Sequence, residues 1–322
     1  MHTVQTHWQP DIGWSTALPQ RLDSPQTLVL AFGPRALMDA PQAAPTSAPR
    51  LALHSAADSH AAGARLAAQL LAPAAGQPLR AVFLLCDGLL VNGTALVHGL
   101  GAALPAGVSV SGGLAGDGSL FQHTWVLDNT LMGCTSADPT PADGTPVDGQ
   151  PALALYKPLY KHYLGELAAQ LPGSALRYPL SLRPAQGGGR TVVSAILGID
   201  EATQSMTFTG DMPMGAVARL MRTQVDRLLA SADEAAGQAL AGMTGAAAAP
   251  PGPVLAVSVS CVGRRLVRGE RTDEELEAAV DRLPAGSMQA GFYSYGEIAP
   301  AEGGVASDLH NQTMTLTVFA EA

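Results

Sequence analysis

The sequence predicts a mixed α/β protein of two lobes, each with a mixed β-sheet and helices packed on it. Strand-length apolar runs alternate along the chain with Ala- and Leu-rich helical segments. A stretch rich in Pro, Gly, Asp and Thr, from Cys134 to Gln150, separates the two halves. We therefore predict one domain at residues 24–148 and a second at residues 149–322.

The composition is globular and acidic. The net charge of -9 argues against a nucleic-acid partner. The apolar run Thr27–Phe32 is too short to span a membrane, and the first residues have no basic segment of a signal peptide. Three cysteines without metal-like spacing suit reduced thiols. We expect a soluble, cytoplasmic protein with no membrane or nucleic-acid contact.

The first half alternates strands and helices. We predict, in order, a strand at Thr27–Phe32, a linker or mobile loop at Asp39–Arg50, a helix at His60–Leu71, a strand at Ala81–Leu85 that is buried on both faces, a helix capped by Thr94, and strands at Val108–Ser111 and Thr124–Met132.

Small and acidic residues follow two of these strands. Asp87 comes after the strand that ends at Cys86, and the glycine loop Gly112–Gly118 contains Gly113 and Asp117. Glycines at a strand end allow a ligand to approach the backbone closely, although a tight turn uses them equally well. The two carboxylates are therefore either ligand contacts or turn residues that bind their own backbone.

The second half begins with less regular elements. We predict, in order, a short strand at Pro151–Tyr156, a helix at Tyr160–Leu171, an extended segment at Leu176–Leu182, a hairpin of Val192–Ile199 and Met206–Phe208 around a turn at Asp200–Thr203, a helix from Gly215 to Ala230 that buries Val217 and Met221, and a helix end and loose loop at Ala235–Pro253.

The final third has clearer patterns. Leu255–Cys261 alternates bulky residues with Ala and Ser, which predicts a strand whose small face admits a helix or a ligand. Thr272 and Glu275 form a capping-box pattern that opens a helix. Thr313–Phe319 predicts a closing strand with Met314, Leu316 and Val318 on one face.

The stretch Gly291–Ile298 concentrates three aromatics, two glycines and a carboxylate in eight residues. We predict a strand that breaks into a turn at Gly296 and presents Glu297 just after it. One interpretation is a pocket floor, with rings and hydroxyls facing a ligand. The other is a core strand whose tyrosines find backbone partners.

One cysteine has neighbours suited to chemistry. Cys261 is followed by Arg264 and Arg265, cations that would lower the pKa of a thiol, and His310 lies downstream. A Cys261–His310 pair would make the protein a thiol-dependent hydrolase or acyltransferase, whereas the plainer alternative is a buried structural cysteine. A single histidine with an apolar slot would also suffice for haem, and His310 is the candidate ligand.

Several motifs together resemble the FIST family. They are Cys86-Asp87-Gly88-Leu89, Gly112-Gly113-Leu114-Ala115-Gly116-Asp117, Ser260-Cys261-Val262-Gly263-Arg264, Gly291 through Ile298, and Leu309-His310-Asn311-Gln312-Thr313. The resemblance runs from about Thr27 to the end of the sequence. It implies FIST N and FIST C domains, and it is strongest in the second half.

The resemblance implies a non-enzymatic sensor of a small ligand in bacterial signal transduction. Amino acids have been proposed as ligands of such domains. The sequence is most similar to a branch described as haem-binding and nitric-oxide-sensing, which works with a histidine kinase. We therefore expect output in trans to a histidine kinase or a cyclic-dinucleotide enzyme.

The resemblance also implies a binding site in the second half. Arg264 would bind an anionic group, Glu297 an amine, and the rings of Tyr293 and Tyr295 apolar parts of the ligand. The first half is abridged for the family, because a motif expected before His60 is absent. A ligand-free protein-interaction module is therefore a further alternative.

Overall fold

The computed structural model describes most of the second half and the centre of the first. The described residues are 5, 7–9, 13–15, 30, 32, 58–72, 79–121, 123–128, 131–136, 151–164, 173–184, 191–212, 215–244, 252–300 and 306–320. The predicted linker at Asp39–Arg50 and most of the predicted strand at Thr27–Phe32 lie outside them.

These residues form helices and strands in a mixed order, with several runs of consecutive strands. The α-helices are α1 Ser59–Leu71, α2 Gly93–Ala103, α3 Ala152–Leu164, α4 Val225–Thr244, α5 Val262–Arg268 and α6 Thr272–Arg282, with 3-10 turns at Gly173–Arg177 and Gly269–Arg271. The strands are β1 Trp8–Gln9, β2 Gly13–Trp14, β3 Ala81–Cys86, β4 Ser109–Ala115, β5 His123–Asp128, β6 Leu131–Ser136, β7 Leu180–Pro184, β8 Val192–Ser194, β9 Ile196–Asp200, β10 Ser205–Phe208, β11 Ala216–Leu220, β12 Leu255–Cys261, β13 Met288–Pro300, β14 Ser307–His310 and β15 Met314–Phe319.

The central sheet has six strands and draws on both halves of the chain. Its order is β15-β12-β13-β4-β3, with β14 paired to β13. The pairs β12–β13 and β3–β4 are parallel, whereas β13 runs antiparallel to β4. The mixed α/β class is confirmed. The two halves share this sheet, whereas the prediction gave each half a sheet of its own.

The helices α1 and α2 cover one end of the sheet and pack closely on each other. A Cβ on Gly63 would lie 2.2 Å from the Leu96 carbonyl oxygen, and one on Gly99 would lie 2.0 Å from the His60 carbonyl oxygen. Small residues are therefore required at this crossing. The N-cap of α2 is Asn92, whose side chain accepts a hydrogen bond from Ala95 N at 2.9 Å, and not Thr94 as predicted.

The strand β3 matches its predicted position but not its predicted burial. Val82, Leu84 and Cys86 are buried, whereas the alternate residues Phe83 and Leu85 are only half-buried. Val82, Leu84 and Cys86 point to the face on which α1 and α2 pack and belong to the same core cluster, whereas the described residues cover the other face less completely.

The helices α4 and α6 cover the other end of the sheet. Ala256 on β12 packs with Ala232 and Ala236 of α4 and Ala279 of α6, and all four side chains are fully buried. The small face of β12 therefore admits helices at close range, as one of the two predicted alternatives stated. Met314, Leu316 and Val318 join the same cluster, which confirms the predicted face of β15.

A smaller cluster surrounds α3 and its neighbouring strands. Tyr156, Tyr160, Tyr178, Ile196 and Met206 form its buried core. The hairpin of β9 and β10 is confirmed, with its turn at residues 201–204. The prediction of a strand at residues 151–156 is wrong, because α3 runs through that segment and through a proline at residue 158.

The predicted helix from Gly215 to Ala230 is also wrong at its start. Residues Ala216–Leu220 form β11, which pairs antiparallel with β7, and the helix α4 begins only at Val225. Val217 and Met221, predicted to be buried, are 43% and 38% exposed. Backbone pairing to an available strand edge overrides the helical spacing of these apolar residues. The helix then continues to Thr244, through part of the predicted loop.

Candidate functional site

The aromatic stretch lies in the middle of β13, which has no turn at Gly296. The strand continues to Pro300, with a bulge between Ser294 and Gly296 against β4. A Cβ on Gly296 would lie 2.9 Å from Leu309 Cδ1, so the glycine serves close packing. The predicted turn is therefore wrong, because a glycine inside a strand also marks a bulge or a close approach.

Tyr295 connects β13 to the loop that follows β4. Its ring stacks on Phe121 with 4.4 Å between centroids. Its hydroxyl donates to the Asp117 carboxylate and lies 3.1 Å from the Gly118 carbonyl oxygen. Burial and the neighbouring Asp117 carboxylate raise the pKa of Tyr295, which keeps the phenol protonated. Tyr295 thus joins the two halves of the chain through one ring and one hydroxyl.

The two strand-end carboxylates bind nearby protein groups. Asp117 accepts from Phe121 N at 2.8 Å, in addition to the Tyr295 hydroxyl. Asp87 accepts from Leu89 N at 2.8 Å and from Leu90 N at 2.6 Å, and it also accepts from the Thr124 hydroxyl. Both carboxylates therefore act as turn residues in this structure, which was the second predicted alternative.

Gly113 lies inside β4, because the predicted glycine loop begins as strand. A Cβ on Gly113 would lie 2.5 Å from Val259 Cγ1, and one on Gly112 would lie 1.9 Å from the Leu84 carbonyl oxygen. Gly112 also has a φ of +136°, which favours glycine. The close approach predicted for a ligand is made by the neighbouring strands.

Arg264 lies in the interior, where protein groups occupy its guanidinium. Only 2% of its surface is exposed. Its Nε donates to Glu275 Oε1 at 2.6 Å, and its two NH2 groups donate to the Leu228 carbonyl oxygen at 2.7 Å and the Ser231 hydroxyl at 3.0 Å. Arg268 forms a second buried ion pair with Glu275. The predicted contact between Arg264 and an anionic ligand therefore has no exposed surface to use here.

Glu275 does not complete a capping box. Its side chain is fully buried and accepts from the Ser260 hydroxyl at 2.8 Å, in addition to its two arginine partners. The Thr272 hydroxyl instead donates to the Gly269 carbonyl oxygen. The capping-box spacing placed Glu275 correctly on the first turn of α6, but the demand of two buried cations for a counter-charge decides its role.

Glu297 is fully buried and is not presented to solvent. It accepts from the Ser294 hydroxyl, from Thr313 Oγ1 at 2.8 Å and from Thr313 N at 3.3 Å. Burial raises the pKa of its carboxyl to about 8, although these hydrogen bonds lower it. Tyr293, four residues before Glu297 on β13, is half-buried, and the Arg265 guanidinium lies 5.0 Å from its ring centroid.

The environment of Cys261 is opposite to the one predicted for a nucleophile. The residue is 3% exposed, and burial, with a further contribution from the Glu297 carboxylate, raises the pKa of its thiol to about 12. Backbone N–H groups of Gly263, Arg264 and Gln312 favour the thiolate, but burial outweighs them. The expectation of a lowered pKa is therefore wrong, and Cys261 is a protonated thiol at neutral pH.

A small crevice opens beside Cys261 and Tyr295. The space inside it is only about 10 Å³, room for about one water molecule, so the crevice is nearly closed in this structure. Its walls are apolar side chains and backbone from six segments of the chain. They are Phe121, Leu176, Ala195 with Leu197, Thr209, residues 261–263 and Tyr295. Of the predicted ligand-binding residues, Tyr295 lines it, and so does Cys261, the candidate nucleophile of the thiol-enzyme alternative. Arg264, Glu297 and the other predicted ligand-binding residues are not part of the wall.

Sequence reasoning missed most of this wall. Phe121 reaches it through a backbone φ of +52°, which no local pattern signals. Leu176 lies in a 3-10 turn, within a segment predicted as extended. Ala195 and Thr209 meet because β9 and β10 pair, with Thr209 N donating to the Ala195 carbonyl oxygen at 3.0 Å. Only the hairpin prediction could have brought the last two together.

The residues around the crevice do not fit a haem. His310 lies in β14 opposite Glu297 and is not part of the wall. Cys261 is protonated, and the Tyr295 hydroxyl is occupied by Asp117. Within the described residues, no group of three or more His, Cys, Asp or Glu side chains could hold a metal ion. None of the described helices is long and apolar enough to cross a membrane.

Elements from both halves of the chain meet at this crevice, where β12 ends and α5 begins. Comparison with known families matches the FIST N domain to residues 20–137 and the FIST C domain to residues 158–300. The chain therefore belongs to the FIST family, whose domains are sensory domains of signal transduction proteins and are not catalytic. No curated protein and no solved structure matches it.

Proposed function

We propose that this protein senses a small ligand, which binds in the crevice beside Tyr295, and that it transmits binding to a signalling partner. One observation carries the proposal: both family domains contribute to the crevice wall. Phe121 belongs to the FIST N match, whereas Leu176, Cys261 and Tyr295 belong to the FIST C match. A ligand in this position would contact both domains at once.

The wall suggests the size and polarity of the ligand. Leu176, Leu197, Val262 and the stacked rings of Phe121 and Tyr295 offer apolar contacts around a narrow space. Binding would require the wall side chains to move apart, and an amino acid with an apolar side chain needs a smaller opening than haem, which also needs an axial ligand. We therefore favour the amino-acid expectation over the haem and nitric-oxide expectation.

The same contacts suggest how ligand binding could be communicated to a protein partner. A ligand that moves the Tyr295 ring would also disturb its hydrogen bond to Asp117 and its stacking on Phe121. The loop after β4 would then respond to occupancy of the crevice. The partner expected from the family is a cytoplasmic histidine kinase or cyclic-dinucleotide enzyme, and it is part of the proposal.

A thermal-shift screen with the proteinogenic amino acids tests the proposal. A ligand at one hundred times its dissociation constant adds about 2.7 kcal/mol of stability, which is readily visible. Leu197→Trp would fill the crevice and should abolish the shift. Leu266→Trp is the matched control, because Leu266 is 41% exposed and is not part of the wall.

Each outcome has a distinct meaning. A shift that survives in Leu197→Trp would show that the crevice is not the binding site. A wild-type protein that responds to no amino acid would contradict the proposed ligand class. Binding to a kinase with equal affinity in the presence and absence of every tested amino acid would favour the ligand-free interaction module.

A further inference from the structure

The strand β11 ends a three-stranded sheet, and one of its edges has no partner strand among the described residues. The sheet order is β11-β7-β8, and β11 pairs only with β7. Three residues in a row, Val217, Ala218 and Arg219, are exposed. The strands β3, β8 and β15 also end a sheet, but none of these three has more than one exposed residue. The strand β11 is therefore the most exposed of these four edge strands.

The pairing of β11 shows which of its backbone groups face the open edge. Met221 N, just after the strand, donates to the Pro179 carbonyl oxygen at 2.9 Å. Hydrogen-bonded residues alternate along an antiparallel pair, so Arg219 and Val217 also direct their backbone groups towards β7. Ala218, between them, directs its N–H and its carbonyl oxygen away from β7. An extended segment could pair with these groups as an additional strand.

The two faces of this sheet differ in character. Leu180 of β7 and Leu220 of β11 pack against the tyrosine cluster around α3. The opposite face carries Val217 and Arg219, and Arg183 of β7 lies directly opposite Val217. Arg183 is exposed, and Val217 is 43% exposed. One face therefore anchors β11 to the interior, whereas the other presents a valine and two arginines beside the open edge.

The charge at this edge is opposite to that of the chain as a whole. Residues 177–184 and 215–227 contain five arginines and one aspartate, whereas the net charge of the chain is -9. All five arginines are exposed, namely Arg177, Arg183, Arg219, Arg222 and Arg227. The aspartate, Asp226, pairs with Arg271 of another segment. Within the part of the chain that the structure describes, none of the five arginines forms an ion pair.

We propose that β11 is a docking edge for the signalling partner, which adds an extended segment with acidic side chains to this sheet. Acidic side chains at alternate positions of an added strand would lie on the same face as Arg183 and Arg219. A second copy of the chain would instead bring two arginine clusters together, which like-charge repulsion opposes. The inference rests on the proposed function for the nature of the partner, but it concerns a different surface from the crevice.

Two short peptides test the charge preference of this edge. They are Thr-Glu-Val-Glu-Val-Glu-Thr and Thr-Lys-Val-Lys-Val-Lys-Thr, which share a pattern that favours strands. In fluorescence anisotropy at low salt, we expect the labelled glutamate peptide to bind the wild type. The lysine peptide should bind at least about tenfold more weakly, which corresponds to about 1.4 kcal/mol. Equal binding of the two peptides, or no binding of the glutamate peptide, would overturn the inference.

Arg183→Glu combined with Arg219→Glu tests the two arginines. This double variant should bind the glutamate peptide at least about tenfold more weakly than the wild type, and the lysine peptide more tightly. The matched control is Arg65→Glu combined with Arg80→Glu, which makes the same change in net charge at two exposed arginines of the first half. Unchanged peptide binding in the first variant, or an equal loss in the control, would overturn the assignment of this edge.

Ala218→Pro tests the pairing of an added strand. Proline removes an N–H that faces the open edge, a position where strands tolerate proline. The variant should lose binding of the glutamate peptide, whereas Ala218→Val keeps the N–H and should bind the peptide as the wild type does. Undiminished binding by the proline variant would overturn strand addition. Circular dichroism shows whether each variant is folded, and the arginine variants decide the outcome if the proline variant is not.

Other occupants of the edge would give different results. A wild type that elutes as a dimer, and becomes monomeric in Ala218→Pro, would assign the edge to a second copy and overturn the acidic partner. Tighter binding of labelled oligothymidine than of the glutamate peptide, lost in Arg183→Glu with Arg219→Glu, would assign it to a nucleic acid with the same consequence.

The two proposals fail in different ways. Peptide binding without a thermal shift from any amino acid would reject the crevice proposal and leave the docking edge in place. A thermal shift from an amino acid without peptide binding would reject the docking edge and leave the crevice proposal in place.

Discussion

Glu275→Gln should strongly destabilise the protein. The carboxylate lies between two buried guanidinium groups, and it is the counter-ion of both Arg264 and Arg268. Side-chain exposures are 2% for Arg264 and 0% for Glu275 and Arg268, so water cannot replace the lost charge. Glutamine keeps the shape but leaves two cations without a counter-charge.

The expected cost is about 3–5 kcal/mol, the range for breaking a buried ion pair by removing one partner. This is a large part of the 5–15 kcal/mol that stabilises a typical domain. Urea unfolding followed by far-ultraviolet circular dichroism should show it. With a urea dependence of about 2–3 kcal/mol per molar, the midpoint should fall by about 1–2.5 M.

The neighbouring residue provides a matched control. Glu274 precedes Glu275 on the same helix and pairs with Arg271, but this pair lies on the surface. Glu274→Gln should leave the midpoint unchanged, because exposed pairs are screened by water and salt. If the two variants shifted the midpoint equally, the reasoning from burial would be refuted.

Four further predictions follow from other parts of the structure. Gly99→Ala should destabilise the protein by about 1–3 kcal/mol in thermal unfolding, because a Cβ there would lie 2.0 Å from a backbone oxygen. Gly101→Ala is the control: a Cβ at this position meets nothing within 4 Å, so the substitution should stabilise the protein by about 0.5–1 kcal/mol. Burial raises the pKa of Glu297 from 4.5 to about 8, so the folded protein binds one more proton than the unfolded protein between these pH values and loses stability as the pH rises through them. The melting temperature of Glu297→Gln should therefore exceed that of the wild type by more at pH 9 than at pH 5. A difference that is the same at both pH values would contradict this prediction. Iodoacetamide at pH 8 should modify Cys261 in urea but not in the folded protein, as peptide mass mapping would report, and rapid labelling of the folded protein would restore the thiol-enzyme hypothesis. Haem added to the purified protein should give no new Soret band, whereas a band that disappears in His310→Ala would establish the axial ligand predicted from the sequence.

Local sequence patterns correctly predicted the elements in which the conformational preference of the residues agrees with the tertiary packing around them. Alternating residues gave β12, and the polar turn at Asp200–Thr203 gave the hairpin of β9 and β10. The helix α3 was missed at its start because Pro158 disfavours helix in the residues before it. The ring of Tyr160 also packs edge-on against Tyr178, at 5.5 Å between centroids, and this contact with a distant segment stabilises the helix but cannot be seen in the local sequence.

The candidate site was less predictable than the fold. The sequence singled out the motif residues Arg264 and Glu297, but their burial depends on partners from other elements, such as Glu275 and Thr313. The crevice joins Phe121 to Leu176, residues whose meeting depends on the whole packing. Sequence spacing identifies chemical groups, whereas only the packed chain decides which of them a ligand can reach.

The shared central sheet affects how this protein can be divided or recombined. The strand β13 belongs to the FIST C match, yet it pairs on one side with β12 and on the other with β4 of the FIST N match. A gene break between residues 137 and 158 would give one fragment with β13 uncovered and another with β4 uncovered. Exposed strand edges promote aggregation. The two domains therefore complete one sheet between them, and a chimaera that exchanges only one of them must restore the pairing of β4 with β13.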